Sequence, residues 1–231
     1  MRILVTGANR GLGLALAQTG AERGHHIVAG VRDVRQGEDK LSDFEFSKSI
    51  SIVPLDVTNE DSVKRAANIV KEQFGSIDVI INNAGILLER HKTIEELNLD
   101  QVQVSFDVNL FGPMRVVKHF LPLLIMGDST TIINISSEAG SFDNAYGGDY
   151  AYAGSKTALN MFSQQLSNYV NGNNIQVYAV HPGWIKTDMG GDHAPGNPHD
   201  TANGILELIE NKRKIESKYV FIDHKGNPMP I

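Results

Sequence analysis

The sequence predicts an α/β fold: a doubly wound parallel β-sheet of about seven strands, with helices on both faces in three αβα layers. Two observations support this prediction. Short apolar strands alternate with helix-like stretches almost to the end of the chain, and fully apolar strands are typical of parallel sheets buried on both faces. In addition, polar or glycine-rich clusters follow most of these strands, and ligands of such sheets bind beyond the carboxyl ends of the strands.

The first strand and its turn resemble a phosphate-binding unit. Residues 2–5 contain three consecutive apolar side chains, residues 6–13 carry glycines at positions 7, 11 and 13, and residues 14–21 are predicted to be helical. Glycines let the backbone approach a pyrophosphate closely, and free amides at a helix start favour negative charge. A tight turn without a ligand has the same spacing, but the regular placement of polar clusters at strand ends favours the binding interpretation.

The next elements follow the same alternation. Residues 26–31 and 50–55 are predicted strands, separated by a polar stretch that we expect to be irregular as far as Ser49. Thr58 or Asn59 is suited to cap the helix that follows. The apolar face of that helix comprises Val63, Ala66, Ala67, Val70 and Phe74.

The second half of the chain continues the pattern to the end. Residues 77–81 form a predicted strand, and a long helical region spans about 99–126, where Pro113 and Pro122 are expected to break or kink it. The remaining predicted elements are helices and strands in alternation: strand 130–135, helix 150–170, strand 175–180, helix 201–211 and strand 219–222. No internal repeat or linker interrupts this order, so residues 1–231 are expected to form one domain.

Composition excludes several classes of function. The net charge of −6 and the pI near 5.7 disfavour nucleic-acid and anionic-membrane partners. Cysteine is absent, which excludes disulfides, thiol nucleophiles and cysteine metal sites, and the eight histidines lack a metal-ligand spacing, so no metal is expected. Because residue 2 already enters a strand and no apolar run is long enough to span a bilayer, we expect no signal peptide and a cytoplasmic location.

Tyr152 and Lys156 form the strongest candidate pair for proton chemistry. Four residues apart in a helix, they lie on the same face. A tyrosine has an ordinary pKa of about 10, and a positive charge about 4 Å away in a partly screened site is worth roughly 4 kcal/mol, or about three pKa units. The lysine is therefore expected to bring the phenol near neutral pH, as a general acid requires. Tyr150 is a rival acid, but position 154 is glycine and supplies no such cation.

Two further polar residues are candidates for the same site. Ser137 ends the strand 130–135 and is suited to bind a substrate oxygen through its hydroxyl. Ser136 is the alternative, since strand alternation points the two hydroxyls to opposite faces. Asn109 interrupts a helical region in which asparagine is a mediocre helix former, so either a functional role or a place on a solvated face fits it.

Together these motifs resemble those of the classical short-chain dehydrogenase/reductase (SDR) family, over essentially the whole chain. They are Thr6-Gly-Ala-Asn-Arg-Gly-Leu-Gly13, Asn82-Asn-Ala-Gly85, Asn109, Ser137, Tyr152-x-x-x-Lys156 and Pro182-Gly183. The sequence is most similar to the C-factor/carbonyl-reductase-like branch. The stretches that carry this likeness are Ser136–Ser141, Gly147–Tyr152, Ser155–Asn160, His181–Asp188 and the tail Asp223–Pro230.

The resemblance implies a Rossmann-type NAD(P)-binding domain with a catalytic tetrad. Tyr152 would be the acid/base, Lys156 would lower its pKa and bind the nicotinamide ribose, Ser137 would orient the carbonyl, and Asn109 would support a water-linked proton relay. The implied cofactor-binding set also includes the glycine loop, the end of the second strand and the ends of later strands: Gly7, Asn9, Arg10, Gly11, Leu12, Gly13, Arg32, Asp56, Val57, Asn83, Ala84, Gly85, Pro182, Gly183, Ile185 and Thr187.

Arg10 and Arg32 indicate NADP(H) as the preferred dinucleotide. In the resembled family, basic residues at these two positions favour the 2′-phosphate, whereas an acid at the end of the second strand favours NAD. Gly30 and Val31 occupy the positions where such an acid would lie, and Asp33 is suited either to that role or to capping the next segment. Use of NAD(H) as well stays open.

The resemblance therefore implies an oxidoreductase that transfers hydride between nicotinamide and a small carbonyl or alcohol substrate, in a homodimer or homotetramer. A C-factor-like signalling or dinucleotide-sensing protein with little turnover is the alternative. One departure from the family is visible: the loop from Ser137 to Tyr152 is slightly longer than usual, through Gly147-Gly-Asp149. Trp184 is expected either to line the substrate pocket or to pack against the rest of the protein. The glycine-rich segment 189–198 that follows is expected to form a short mobile lid.

Overall fold

The computed structural model describes residues 1–124, 130–213 and 215–231. Its seven strands form one sheet in the order β3-β2-β1-β4-β5-β6-β7, and every neighbouring pair is parallel. The chain therefore winds outward from β1 in one direction and then from β4 in the other, which confirms the predicted doubly wound fold. The strands are β1 (Arg2–Thr6), β2 (His26–Val31), β3 (Ile50–Pro54), β4 (Val79–Asn82), β5 (Thr131–Ile135), β6 (Gln176–His181) and β7 (Phe221–Asp223).

Seven α-helices in the described ranges cover the sheet. They are α1 (Gly11–Glu22), α2 (Val34–Leu41), α3 (Glu60–Phe74), α4 (Leu99–Phe106), α5 (Gly112–Phe120), α6 (Tyr150–Tyr169) and α7 (Pro198–Ile209). Helices α1, α2 and α7 pack on one face of the sheet, whereas α3, α5 and α6 pack on the other. No helix in the described part of the chain is both long and apolar enough to cross a membrane.

The strands are buried on both faces because their side chains alternate between two apolar clusters. In β1, Ile3 and Val5 belong to the cluster under α1 and α7, while Leu4 belongs to the cluster under α3 and α5, and all three side chains are fully buried. This is why the strands are continuously apolar in sequence. Burial of the strands leaves their carboxyl ends as the edge from which polar loops emerge.

The helix α2 corrects the prediction of an irregular stretch as far as Ser49. Its start is stabilised by Asp33, whose carboxylate accepts hydrogen bonds from the backbone amides of Arg35 (3.0 Å) and Gln36 (3.4 Å). Leu41 packs into the apolar cluster of that face. Val34 and Leu41 are the two apolar side chains of this eight-residue helix that pack on the cluster, and two positions are too few to show a hydrophobic period in the sequence.

The long helical region is interrupted, as its prolines predicted. Helix α4 ends at Phe106, the π-helical turn Asp107–Phe111 follows, and α5 begins at Gly112 with Pro113 in its first turn. Pro113 has no amide hydrogen and cannot donate to the carbonyl of Asn109. Pro122 lies in a 3-10 turn. The end of the predicted helix, residues 125–126, lies outside the described residues.

A charged cluster lies at the opposite edge of the sheet from the strand ends. Glu210, after α7, accepts hydrogen bonds from the Arg23 guanidinium, from His25 Nε2 (2.8 Å) and from Lys212 Nζ (2.7 Å). Burial by itself would raise the pKa of Glu210, but these donors outweigh burial and lower its pKa to about 2. The cluster ties α1 to α7 and takes no part in the site described next.

Candidate active site

A cleft of about 1060 Å³ runs along the carboxyl ends of the strands. Loops after β1 to β6 and the first turns of α6 form its walls. The structure brings nearly all the predicted site residues into these walls: Gly7, Asn9, Arg10, Gly11, Leu12, Arg32, Asp56, Val57, Asn83, Ala84, Gly85, Ser137, Tyr152, Lys156, Pro182, Gly183, Ile185 and Thr187. Gly13 and Asn109 are the two predicted residues that do not line the cleft.

The glycine loop presents bare backbone at the start of α1. Gly7 and Gly11 have positive φ values of 67° and 53°, which side chains disfavour. Gly13 has a different role, since a Cβ there would lie 2.2 Å from the Gly7 carbonyl oxygen. No side chain caps α1, and its first turn carries no acidic residue. Its amino-terminal amides are therefore available to an anion.

The loop after β4 is bonded to the glycine loop. Thr6 Oγ accepts hydrogen bonds from the backbone amides of Asn83 and Ala84, both at 3.0 Å. In return, the Asn83 side-chain amide donates to the Thr6 carbonyl at 2.9 Å. Asn83 thus supports the loop as well as the cleft wall. This role of the Thr6 hydroxyl was not predicted from the sequence. The position of Thr6 at the end of β1 was the signal that could have indicated it.

The end of the cleft near β2 carries two arginines, Arg10 and Arg32. Arg32 is exposed there, and one carboxylate oxygen of the adjacent Asp33 caps α2. Arg10 lies 3.4 Å from Asp188, in an ion pair whose two side chains are 63% and 76% exposed. Asp56 closes this end, and its carboxylate accepts hydrogen bonds from the backbone and hydroxyl of Thr58.

Tyr152 and Ser137 meet at the other end of the cleft. Tyr152 lies in the first turn of α6, and Ser137 follows β5 and lowers the pKa of the Tyr152 phenol by hydrogen bonding. Ser136 is committed elsewhere, because its hydroxyl donates to Asn160 Oδ1 at 2.5 Å. Tyr150, the rival acid, does not line the cleft. This geometry favours Ser137 and Tyr152 over the two alternatives.

The pKa of Tyr152 differs from the expectation. Burial raises it above the ordinary value, and the Ser137 hydroxyl only partly opposes this effect. The Lys156 ammonium lies 5.5 Å from the centre of the phenol ring and donates to the Ile135 carbonyl at 2.7 Å. Burial also lowers the pKa of Lys156 to about 8. The pKa expected for Tyr152 from the sequence took account of the Lys156 charge, but not of the burial of the phenol and of the ammonium.

Asn109 joins two parts of the site from behind. It lies in the π-helical turn and is fully buried, which excludes the solvated-face alternative. Its side-chain amide donates to the Ile86 carbonyl (2.9 Å) and to Ser155 Oγ (3.0 Å), and its oxygen accepts from the Ile86 amide (2.9 Å). The side chain therefore fastens the loop after β4 to α6.

The end of the cleft beyond Tyr152 has apolar and charged walls. Trp184 is 54% exposed, and its indole nitrogen donates to the Gly190 carbonyl, so the ring braces the segment after β6. Several further lining residues of this end were not predicted as site residues from the sequence, among them Leu87, Leu88, Arg90, Tyr146, Asp149 and Met189. In the part of the chain that the structure describes, no group of three or more His, Cys, Asp or Glu side chains is placed to hold a metal ion.

The fold and the cleft together define a Rossmann-type α/β protein with a Tyr–Ser–Lys site at the strand ends. Comparison with known families agrees: the sequence model of the short chain dehydrogenase family matches residues 1–197. The chain belongs to this family of oxidoreductases, which confirms the family predicted from the motifs.

Individual relatives cover most of the chain. A short-chain dehydrogenase of Penicillium roqueforti is 32% identical over 219 residues, which are 88% of this chain and 86% of that protein. The C-signal protein of Myxococcus xanthus is 34% identical over 157 residues, which are 68% of this chain and 93% of the C-signal chain. The NADPH-bound carbonyl reductase from chicken fatty liver superposes with a TM-score of 0.88 at 31% identity, covering 100% of this chain and 98% of its own.

Proposed function

We propose that residues 1–231 act as one NADP(H)-dependent carbonyl reductase domain, with Tyr152 as the general acid. The observation that carries this proposal is a single cleft with two chemically distinct ends. One end has an uncapped helix start and exposed arginines, whereas the other has Tyr152 beside Ser137. The first suits an anionic nucleotide and the second suits proton transfer to an oxygen.

The residues present fit a nicotinamide dinucleotide. The glycine loop exposes backbone where a phosphate would contact it, and the amides of the first turn of α1 have no competing side-chain acceptor. Pro182, Gly183 and Thr187 line the same cleft as Tyr152 and Lys156, and by the family resemblance they would hold the nicotinamide end. The dinucleotide supplies the hydride when bound. NADPH in the chicken carbonyl reductase supports the same choice here.

Preference for NADP(H) over NAD(H) rests on the arginines at the end of the cleft near β2. Arg32 is exposed to the cleft, and one carboxylate oxygen of the adjacent Asp33 is bonded by two amides of α2. An arginine opposite a phosphate makes a charge-assisted hydrogen bond, which a ribose hydroxyl cannot match. The 2′-phosphate is therefore the favoured group at this end.

Proton transfer follows from the environment of Tyr152. Because its pKa is raised, the phenol is protonated at neutral pH and is ready to donate to a carbonyl oxygen. Ser137 would donate a hydrogen bond to the same oxygen as negative charge develops on it. Lys156 holds its ammonium behind the ring, where it stabilises the tyrosinate left by the transfer. The Asn109 carbonyl, which Pro113 cannot engage, is suited to a water-linked relay that returns the proton.

The direction of the reaction follows from the same group. Reduction of a carbonyl needs the neutral phenol, whereas oxidation of an alcohol needs the tyrosinate as base. A raised pKa therefore favours reduction at neutral pH and makes oxidation increase with pH. Small aldehydes, ketones or quinones are the proposed substrates, since apolar walls from Leu87, Leu88 and Trp184 flank the phenol.

The test is NADPH oxidation over a panel of aldehydes, ketones and quinones. Tyr152→Phe should lower kcat by about 10²- to 10⁴-fold, the contribution of a general acid, while NADPH binding is retained. Tyr150→Phe is the matched control, because this phenol lies two residues away and outside the cleft, and it should keep full activity. Equal rates for the wild type and Tyr152→Phe would refute the assignment.

A dinucleotide-sensing or signalling protein with little turnover is the second candidate, and the likeness to C-signal favours it. Tight NADPH binding without turnover over the whole panel would support this candidate.

We also propose a cytoplasmic homodimer or homotetramer. Exposed apolar side chains on α4 and α6, Val104 and Met161, support assembly through these helices. Light scattering of the purified protein tests this assembly, and a monomer would refute it.

A further inference from the structure

A carboxylate at the mouth of the cleft has no part in the proposed chemistry. Asp149 directly precedes α6 and is only 9% exposed. Aspartate at such a position normally caps the helix, but no amide of α6 is bonded by this side chain. Its oxygens instead accept from the Tyr146 hydroxyl at 2.7 Å and from the His91 amide at 3.3 Å. The carboxylate thus joins the loop before α6 to the loop after β4.

The backbone on both sides of this contact is held in an uncommon conformation. Asp149 is left-handed, with φ 47° and ψ 32°. Across the contact, Glu89 and His91 also have positive φ values of 55° and 62°. Non-glycine residues take this conformation at a cost and keep it where surrounding contacts require it. The Asp149 carboxylate therefore bonds two loops whose backbones both adopt this conformation.

Asp149 also lies one turn from the phenol. It precedes Tyr152 by three residues, and both line the cleft. Its negative charge raises the pKa of Tyr152, while the Arg90 guanidinium lowers it. The titratable and charged groups that share this end of the cleft come from all the surrounding elements: Lys156, Glu138, Tyr146, Asp149, Arg90 and His181. Among them, Asp149 is the carboxylate that acts on the phenol.

We propose that Asp149 is a positioning residue of the reductase: its carboxylate holds the loop after β4 and Tyr146 against the start of α6, one turn from Tyr152. The proposal rests on the reductase function described above. The slightly longer loop with Gly147-Gly-Asp149 then has a purpose, because Gly148, with a φ of 143°, lets the chain turn before the Asp149 carboxylate. Asp149 biases the enzyme toward carbonyl reduction.

Asp149→Asn tests the charge and leaves the shape nearly unchanged, since asparagine tolerates the left-handed conformation and keeps an acceptor oxygen. Two measurements are made: the pH profile of kcat for alcohol oxidation, and the titration of Tyr152 followed by NMR of carbon-13-labelled tyrosine in the ligand-free protein. Both should shift to lower pH. Asp143→Asn, an exposed acid of the same loop outside the cleft, should shift neither.

Tyr146→Phe gives the opposite sign. It removes a hydrogen-bond donor from the carboxylate and leaves the charge less neutralised, so the Tyr152 titration should move to higher pH. A purely structural contact would move both variants in the same direction, and that result, or no shift in Asp149→Asn, would overturn the proposal. Because the NMR titration needs no turnover, an inactive wild type would refute the reductase function and still leave the role of Asp149 decided.

Discussion

Replacement of Arg32 by alanine is the most direct test of the proposed cofactor preference. In the described residues the Arg32 guanidinium has no hydrogen-bonding partner, so it can bind a phosphate without first breaking a protein contact. A charge-assisted hydrogen bond contributes about 1.5–3 kcal/mol. Its loss should weaken NADPH binding by about 10- to 150-fold. NADH lacks the 2′-phosphate, so its Kd should change by no more than about twofold, as for an ordinary surface substitution.

In the assay, each purified variant is titrated with NADPH and with NADH, and the Kd is obtained from the change in nucleotide fluorescence. Arg35→Ala is the matched control, since Arg35 lies in the first turn of α2, is exposed and does not line the cleft. This control should retain both affinities. Equal losses of NADPH and NADH affinity in Arg32→Ala would show that the arginine holds the adenosine or the loop rather than the phosphate. No loss for either nucleotide would remove Arg32 from the site.

Three further predictions follow. Asp188→Asn frees Arg10 from an exposed ion pair worth about 0.2–1 kcal/mol, so NADPH should bind about 1.4- to 5-fold more tightly. Asp192→Asn is the control and should leave NADPH binding unchanged; weaker binding in Asp188→Asn would contradict this competition. Gly13→Ala places a Cβ 2.2 Å from a backbone oxygen, so the free energy of unfolding measured by calorimetry should fall by about 1–3 kcal/mol. NADPH affinity should fall as well. A melting curve identical to that of the wild type would refute the packing role of Gly13. Glu210→Gln should lower the free energy of unfolding by about 3 kcal/mol and Tm by about 6–12 °C. Glu207→Gln removes a carboxylate from a more exposed ion pair and should lower the free energy of unfolding by less than about 1 kcal/mol. Because the folded pKa of Glu210 is about 2 and its unfolded value about 4.3, this stabilisation is present above about pH 4.3 and is lost as the pH falls toward 2; a constant difference between wild type and variant down to pH 2 would contradict it.

Most of the fold follows from local sequence signals. Each strand is a short apolar run, and most predicted helix and strand boundaries lie within three residues of the observed ones; the exception is the long helical region predicted over 99–126, since α5 ends at Phe120. The doubly wound order follows because parallel strands need crossover helices, and the apolar pattern of β1 already requires two covered faces. The short helix α2 was missed because Asp33 and Leu41, a cap and one buried side chain, carry no visible period.

The end of the cleft at the glycine loop and β2 was predictable for the same reason. Its residues lie within a few positions of a strand end, and strand ends converge in space whatever the distance between them in sequence. The end of the cleft beyond Tyr152 was not predictable. Arg90, Asp149 and Met189 come from three loops, and their contacts depend on backbone conformations that no sequence period encodes. The pKa of Tyr152 was also beyond the sequence, since burial of the phenol outweighs a nearby charge only after the loops are in place.

Two motif residues support the site without forming its wall, and this bears on how mutations in it are interpreted. Gly13 makes room for the Gly7 carbonyl, and Asn109 bonds Ile86 and Ser155. Substitution of either residue displaces a loop that does contact the cleft, so activity would fall even though no ligand contact is removed. A loss of turnover alone therefore cannot identify a catalytic group here. Tyr152 is distinguished from these supports because its substitution should remove the chemical step while the glycine loop, and with it NADPH affinity, stays intact.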